Sequence, residues 1–149
     1  LVDLGIIKSA ENTFKPDENI NQGEFIKLLM IANHRPITEA ENIQKYIDSA
    51  IKIGWVKPDE VQANSPISRE KTVAFVIRSL GYEKIASLHD IFNLTAEDRN
   101  SINPNYKGHL AIGIGLDLIT EDGDNIKPKA NVSNAEAAVI LVRMLKIDK

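Results

Sequence analysis

The chain has 149 residues, of which 43% are hydrophobic and 26% charged, so it is long enough for one globular domain with a real core. Its net charge of −3 leaves no basic surplus for a nucleic-acid backbone or an anionic membrane surface, which argues against both partners. Cysteine is absent, which excludes disulfide scaffolds, thiolate metal sites and cysteine nucleophiles.

Three segments of the chain share one layout: an apolar helix end, a polar turn, and a capped amphipathic helix. The motifs in chain order are LGII, FKP and INQGE within residues 4–24, IGWV, KP and ISREK within 53–71, and LDLI, IKP and VSNAE within 116–136. Recurrence of the same motifs in the same order predicts tandem helical repeats and an all-α fold.

The helices that follow the caps are predicted near residues 21–33, 68–81 and 133–146. In the second, Val73, Val76, Ile77 and Leu80 form one buried stripe at helical spacing. The matching stripes are Ile26, Leu29 and Met30 in the first helix, and Ala138, Leu141, Val142 and Leu145 in the third. Capping boxes are predicted for Asn21 with Glu24 and for Ser133 with Glu136, whereas Lys71 leaves Ser68 only the cap half of the box.

The repeats divide the chain into residues 1–35, 36–82 and 83–149, within a single module. The third carries a longer front segment at 83–107, where the cap signal of Thr95 to Asp98 predicts a small extra helix or turn. The first lacks most of its leading helix. Its apolar residues are therefore expected to dock on a neighbouring repeat or on a second copy of the chain: Leu1, Val2, Leu4, Ile6 and Ile7.

The three motifs resemble those of the S-layer homology domain of bacterial surface proteins, and the resemblance covers essentially the whole chain. It implies three helical-hairpin repeats around a pseudo-threefold axis, with the capped helices as a central three-helix bundle. It also implies a non-catalytic, extracellular module that anchors a larger surface protein to secondary cell-wall polysaccharide, usually through pyruvylated sugars. The absence of an initiating Met and of a signal-peptide pattern agrees with a piece of a longer protein.

Arg69, directly after the Ser68 cap, is the predicted centre of ligand binding, because a guanidinium beside free helix-start amides forms an anion site. The matching positions hold Gln22 and Asn134, which donate hydrogen bonds without charge. The remaining candidates in the second repeat are Gly54, Trp55 and Lys57. Two of the candidates have a structural alternative: Arg69 as an exposed charge, and Trp55 as a packing residue rather than a sugar-stacking face.

No enzyme, metal site or cofactor is predicted. The histidines (His34, His89 and His109) lack metal-ligand spacing, and the acidic turn at 121–125 lacks the EF-hand pattern. The longest apolar run near the end, AAVILV at 137–142, is far short of the roughly 18 residues that a membrane span needs. The leading alternative is a degenerate module with a structural or protein-interaction role and no glycan binding. A weaker one is part of an enzyme whose chemistry lies outside the chain.

Overall fold

The computed structural model describes residues 15–35, 42–121 and 123–147 of the chain. Within these ranges the regular secondary structure is helical, which confirms the all-α prediction. The helices are α1 (Gln22–Ala32), α2 (Ile43–Lys52), α3 (Arg69–Ser79), α4 (Glu83–Ala86), α5 (Lys107–Gly115) and α6 (Asn134–Leu145). Short 3-10 turns lie at Pro58–Glu60, His89–Ile91, Arg99–Ser101 and Pro104–Tyr106.

Helices α1, α3 and α6 begin at the three predicted caps. The side chains of Asn21, Ser68 and Ser133 each accept the backbone N–H three residues on, at 2.8, 3.3 and 3.1 Å. Only Ser133 has the full capping box, in which Glu136 accepts the Ser133 amide in return. The box predicted for Asn21 is wrong, because Glu24 stays in solvent, where water replaces such a bond at little cost.

The core lies where α6 packs against both α1 and α3, with α2 packed on α1 and α5 on α3. The predicted stripes of α1 and α3 are buried, and so are Ala138 and Leu141 of α6. Leu145 is 38% exposed, however, so the prediction that it is buried is wrong. Met144 takes its place in the core, where its sulfur meets Asn33 and Ser79.

The segments that lead into α1, α3 and α6 are joined in a closed ring, which we call the helix-start ring and define by Ile20, Ile67 and Val132. The Ile20 amide donates to the Val132 carbonyl at 2.9 Å, Val132 to Ile67 at 3.0 Å, and Ile67 to Ile20 at 3.2 Å. All three side chains are buried. The predicted pseudo-threefold axis agrees with this ring and stays a prediction.

The first two amides of each of these helices also bond across to a neighbouring segment. Such amides have no partner inside their own helix. The pairs are Gln22 to Ser65, Gly23 to Ala63, Arg69 to Ala130, Glu70 to Pro128, Asn134 to Glu18 and Ala135 to Pro16, at 2.8–3.1 Å. Each helix start is therefore held by backbone carbonyls from the turn that precedes another helix.

The segment at 83–107 contains α4 and three 3-10 turns, which confirms the expected extra helix or turn. Thr95 does not cap it: the turn at Arg99–Ser101 begins after Asp98, whose carboxylate instead accepts the amides of Ile126 and Lys127. Asp98 thereby fastens this segment to the turn before α6.

Residues 1–14, 36–41, 122 and 148–149 lie outside the described ranges. The first apolar motif, the start of its turn motif and the expected docking of Leu1 to Ile7 fall there. Association with a second chain through those residues therefore stays a prediction.

Candidate functional site

Arg69 is the first residue of α3, and its side chain is only 16% exposed. Its Nε donates to the Ile126 carbonyl at 2.9 Å, its Nη2 to the Thr120 carbonyl at 3.1 Å, and its Nη1 lies 3.4 Å from Glu136 Oε2. The expectation of free amides beside it is wrong, because the carbonyls of Ala130 and Pro128 already occupy them. An anion near Arg69 would meet the guanidinium and not the helix start.

One side of Arg69 lines a surface groove of about 260 Å³, which we call the Arg69 groove. Its lining combines apolar side chains with two guanidinium groups and one carboxylate: Arg69, Leu118, Ile119, Thr120, Ala135, Glu136, Val139, Ile140 and Arg143. Val139 is 45% exposed along it. A small group that joins an apolar methyl to a carboxylate suits such a lining, since guanidinium binds carboxylate through charge-assisted hydrogen bonds.

Gln22 and Asn134 lie at the positions that match Arg69, and their side chains make hydrogen bonds within the fold. Gln22 is 5% exposed; its amide nitrogen donates to the Pro66 carbonyl and its oxygen accepts the Gln62 amide. Asn134 donates to the Lys15 carbonyl at 2.9 Å. All three side chains thus reach a carbonyl in the segment before another helix start, which gives this position a role in joining the segments.

Gly54 and Trp55 follow the end of α2 and lie outside the Arg69 groove. Gly54 has φ of +89°, the left-handed conformation that commonly follows a helix, and Asp117 has φ of +60° at the matching point after α5. Trp55 is half-buried against the core, and the Arg35 guanidinium lies 5.5 Å from its ring centroid. These contacts account for Trp55 as a packing residue, while sugar stacking by it stays a prediction.

Ser68 and Lys57 line a separate, polar cavity of about 420 Å³ that does not include Arg69. The structure therefore separates candidates that were predicted to form one site. Two lysines of this cavity have partners in the protein: Lys129 lies 2.6 Å from Glu70, and Lys71 donates to the backbone carbonyl of Glu60 at 2.7 Å.

The sequence predictions missed a buried charge network that adjoins this cavity, centred on Arg78. Arg78 binds Glu60 through both Nη atoms, at 2.6 and 3.1 Å, and Glu83 through Nε at 2.9 Å. Tyr106 donates to Glu60 at 2.7 Å. An arginine inside the apolar run VAFVIRSL of a buried helix was the available signal, because a buried arginine requires partners.

The network shifts the acidity of its members. Burial alone would raise the pKa of Glu60, but the hydrogen bonds from Arg78, Tyr106 and the Lys57 amide hold it below its ordinary value. Burial would likewise raise the pKa of Glu83, but the hydrogen bonds to His109 and Arg78 hold it below its ordinary value. Burial and the adjacent Glu60 raise the pKa of Tyr106, so its hydroxyl stays a donor at neutral pH. Both carboxylates are therefore charged at neutral pH.

His109 is 1% exposed and completes the network, with Nε2 2.9 Å from Glu83. Its Nδ1 has no hydrogen-bond partner among the described residues. Burial lowers the pKa of His109, with smaller contributions from Arg78 and His89, and outweighs the opposing effect of Glu83. The ring is therefore neutral near pH 7, with its proton on Nε2 facing Glu83.

Residues 15–35, 42–121 and 123–147 contain neither a membrane-spanning helix nor a metal-binding cluster. Every helix there is too short or too polar to cross a bilayer. The same residues contain no group of three histidine or acidic side chains placed to hold a metal ion.

A scan of family models matches residues 1–26 to the S-layer homology domain. The matched stretch ends within α1, so it includes the Asn21 cap and Gln22 but neither Arg69 nor the α6 start. A search of curated proteins finds no match to the chain. S-layer homology domains are non-catalytic modules that generally anchor proteins to cell-wall polysaccharide, so the match supports such a domain at residues 1–26.

Proposed function

We propose that the chain is one S-layer homology module that anchors a larger bacterial surface protein to secondary cell-wall polysaccharide. In this proposal its repeats span residues 1–35, 36–82 and 83–149 about a pseudo-threefold axis. The module is extracellular and non-catalytic, and its ligand is a pyruvylated glycan. The observation that carries the proposal is the family match at residues 1–26.

The helix-start ring supports extension of the repeat beyond the matched stretch. Ile20 lies inside that stretch, and its ring partners Ile67 and Val132 hold the corresponding place before α3 and α6. Equivalent backbone bonds at three helix starts are what three copies of one unit would make. Residues 36–149 would then contain the second and third copies.

The Arg69 groove supports an acidic, partly apolar ligand. A pyruvate ketal carries a methyl group and a carboxylate, which match Val139 and the guanidinium groups of Arg69 and Arg143. Three of the five N–H groups of Arg69 have protein acceptors, so donors remain for a carboxylate.

Calorimetric titration with pyruvylated and depyruvylated wall oligosaccharide tests the ligand. The proposal expects saturable binding of the pyruvylated form alone. Arg69→Ala should weaken that binding by roughly ten- to a hundredfold, the usual cost of a lost charge-assisted contact. Gln22→Ala and Asn134→Ala are the matched controls, because they remove the uncharged side chains at equivalent positions and should change affinity much less.

Because Arg69 also holds the turn before α6, thermal unfolding of each variant must accompany the titration. Arg69→Lys keeps the charge but not the planar fork, and is expected to bind with intermediate affinity. If folded Arg69→Ala binds as the wild type does, the glycan site lies elsewhere.

A second candidate is a degenerate module that has lost glycan binding and serves a structural or protein-interaction role. The side chains of Gln22, Arg69 and Asn134 favour it, since all three bond to carbonyls within the fold. Under this candidate the wild type binds neither oligosaccharide, and the three alanine variants lower thermal stability.

A further inference from the structure

A cavity of about 360 Å³ lies wholly within the segment at 83–107, apart from the Arg69 groove. Its charged lining residues are Arg99 and Lys107, and Asn93 and Asn100 add two side-chain amides. Leu94 and the buried Ile102 supply an apolar surface. The cavity therefore offers cations, neutral hydrogen-bonding groups and a nonpolar contact in one small space.

Arg99 and Lys107 have no counter-charge among the residues that the structure describes. Of the described residues that line the cavity, none is acidic, and neither Arg99 nor Lys107 has an ion-pair partner in the described ranges. The neighbouring Asp98 is committed elsewhere, with its two oxygens 2.9 and 2.8 Å from the Ile126 and Lys127 amides. Two positive charges at one cavity repel each other, and a bound anion would remove that repulsion.

The guanidinium of Arg99 is also held in place. Its Nη1 donates to the Ala96 carbonyl at 3.0 Å, three residues back in the chain. Lys107 is half-buried, and it lies at the first position of α5. Positioning before binding lowers the entropy cost of ordering side chains around a ligand.

We propose that this cavity binds a small oxyanion on a polyhydroxylated body, as in a phosphorylated or carboxylated sugar. Arg99 and Lys107 hold the carboxylate or phosphate through charge-assisted hydrogen bonds. Asn93 and Asn100 bond to hydroxyl groups, and Leu94 and Ile102 contact the C–H face of the ring. This site does not depend on the proposed wall-anchoring function, because it shares no residue with the Arg69 groove.

The test is a titration of the isotopically labelled chain with glucose 6-phosphate, glucuronate and glucose, followed by backbone amide chemical shifts. Either anionic probe should shift amides within residues 93–107 saturably, and added salt should weaken the effect. The relative affinities of glucose 6-phosphate and glucuronate distinguish a phosphate from a carboxylate ligand. Equal shifts with neutral glucose, or no saturable shift with either anion, would overturn the proposal.

Arg99→Gln and Lys107→Gln should each weaken binding by roughly tenfold, since each removes one charge-assisted contact. Arg99→Lys and Lys107→Arg keep the charge and should retain most of the affinity, which separates loss of a contact from loss of the fold. The matched control is Lys84→Gln, an exposed lysine of the same segment that does not line the cavity, and it should bind as the wild type does. Unchanged affinity in both Arg99→Gln and Lys107→Gln would contradict the assignment.

Discussion

The last turns of α3 and α6 carry an arginine at the same distance from the helix start, Arg78 and Arg143. Both donate through Nη1 to the carbonyl that follows a left-handed residue, Trp55 after Gly54 and Leu118 after Asp117, at 3.4 Å in each case. The two helices thus make the same contact near their ends, at the same register.

The two arginines, Arg78 and Arg143, have different surroundings. Arg143 is exposed, whereas Arg78 is 5% exposed and is bound by Glu60 and Glu83. Glu83 and Tyr106, which donates to Glu60, come from the segment at 83–107, and His109, the partner of Glu83, lies near the start of α5. The segment at 83–107 therefore adds a second carboxylate to Arg78 beside Glu60, and a buried arginine is stable only with such partners.

Arg78→Ala should have the largest effect, a loss of about 3–5 kcal/mol in the free energy of unfolding. The reason is that removal of one partner leaves Glu60, whose side chain is 10% exposed, as a buried charge without its counterion. Denaturant unfolding monitored by circular dichroism measures it.

Arg143→Ala is the matched control, because it removes the same carbonyl contact without exposing a buried charge. Its cost should stay within about 0.5 kcal/mol, as for most surface substitutions. Equal costs for the two variants would refute the distinction between the two helix ends.

Acidification should also lower the free energy of unfolding, through the titratable groups of the Arg78 network. His109 has a lowered pKa in the folded state, so its contribution is complete above the ordinary value of 6.5 and is lost as the pH falls below it. Glu60 and Glu83 add a second loss below their ordinary value of 4.5, because their folded pKa values are also lowered. Each group contributes at most about 1.4 kcal/mol per pH unit.

His109→Gln separates the two phases. Glutamine can still donate to Glu83 but does not titrate, so the loss of stability between pH 7 and 5 should become smaller while the loss at lower pH persists. His34→Asn is the control, because His34 is exposed and its φ of +60° is one that asparagine tolerates. If His109→Gln follows the wild-type profile throughout, His109 does not cause the first phase.

Within the Arg78 network, Tyr106→Phe should cost less than Arg78→Ala, about 0.5–1.5 kcal/mol, because it removes one neutral donor from Glu60 and leaves the Arg78 pair intact. Thermal unfolding at neutral pH measures this loss. A cost as large as that of Arg78→Ala would mean that Tyr106, and not the ion pair, holds the network together.

The starts of α1, α3 and α6 were predictable because capping depends on a few neighbouring residues. Asn21, Ser68 and Ser133 cap as the sequence indicates. The buried stripe of α3 was also predictable, since it follows helical spacing alone. The burial of Met144 in place of Leu145 was not predictable, because it depends on the side chains that α1 and α3 present to α6.

The arrangement of the candidate site could not be predicted from sequence spacing, because it depends on contacts between segments that are distant in the chain. Arg69 and Ser68 are neighbours in the chain, yet they line different cavities. The carbonyls that occupy the α3 amides come from Pro128 and Ala130, on the approach to another helix. The sequence around residue 69 does not indicate that the segment before α6 lies beside it.

Co-sedimentation of the chain with purified bacterial wall fragments, before and after extraction of the secondary polysaccharide, tests the anchoring function most directly. The chain should pellet with intact fragments and stay in solution once the polysaccharide is removed. Equal recovery with both preparations, or no recovery with either, would contradict it.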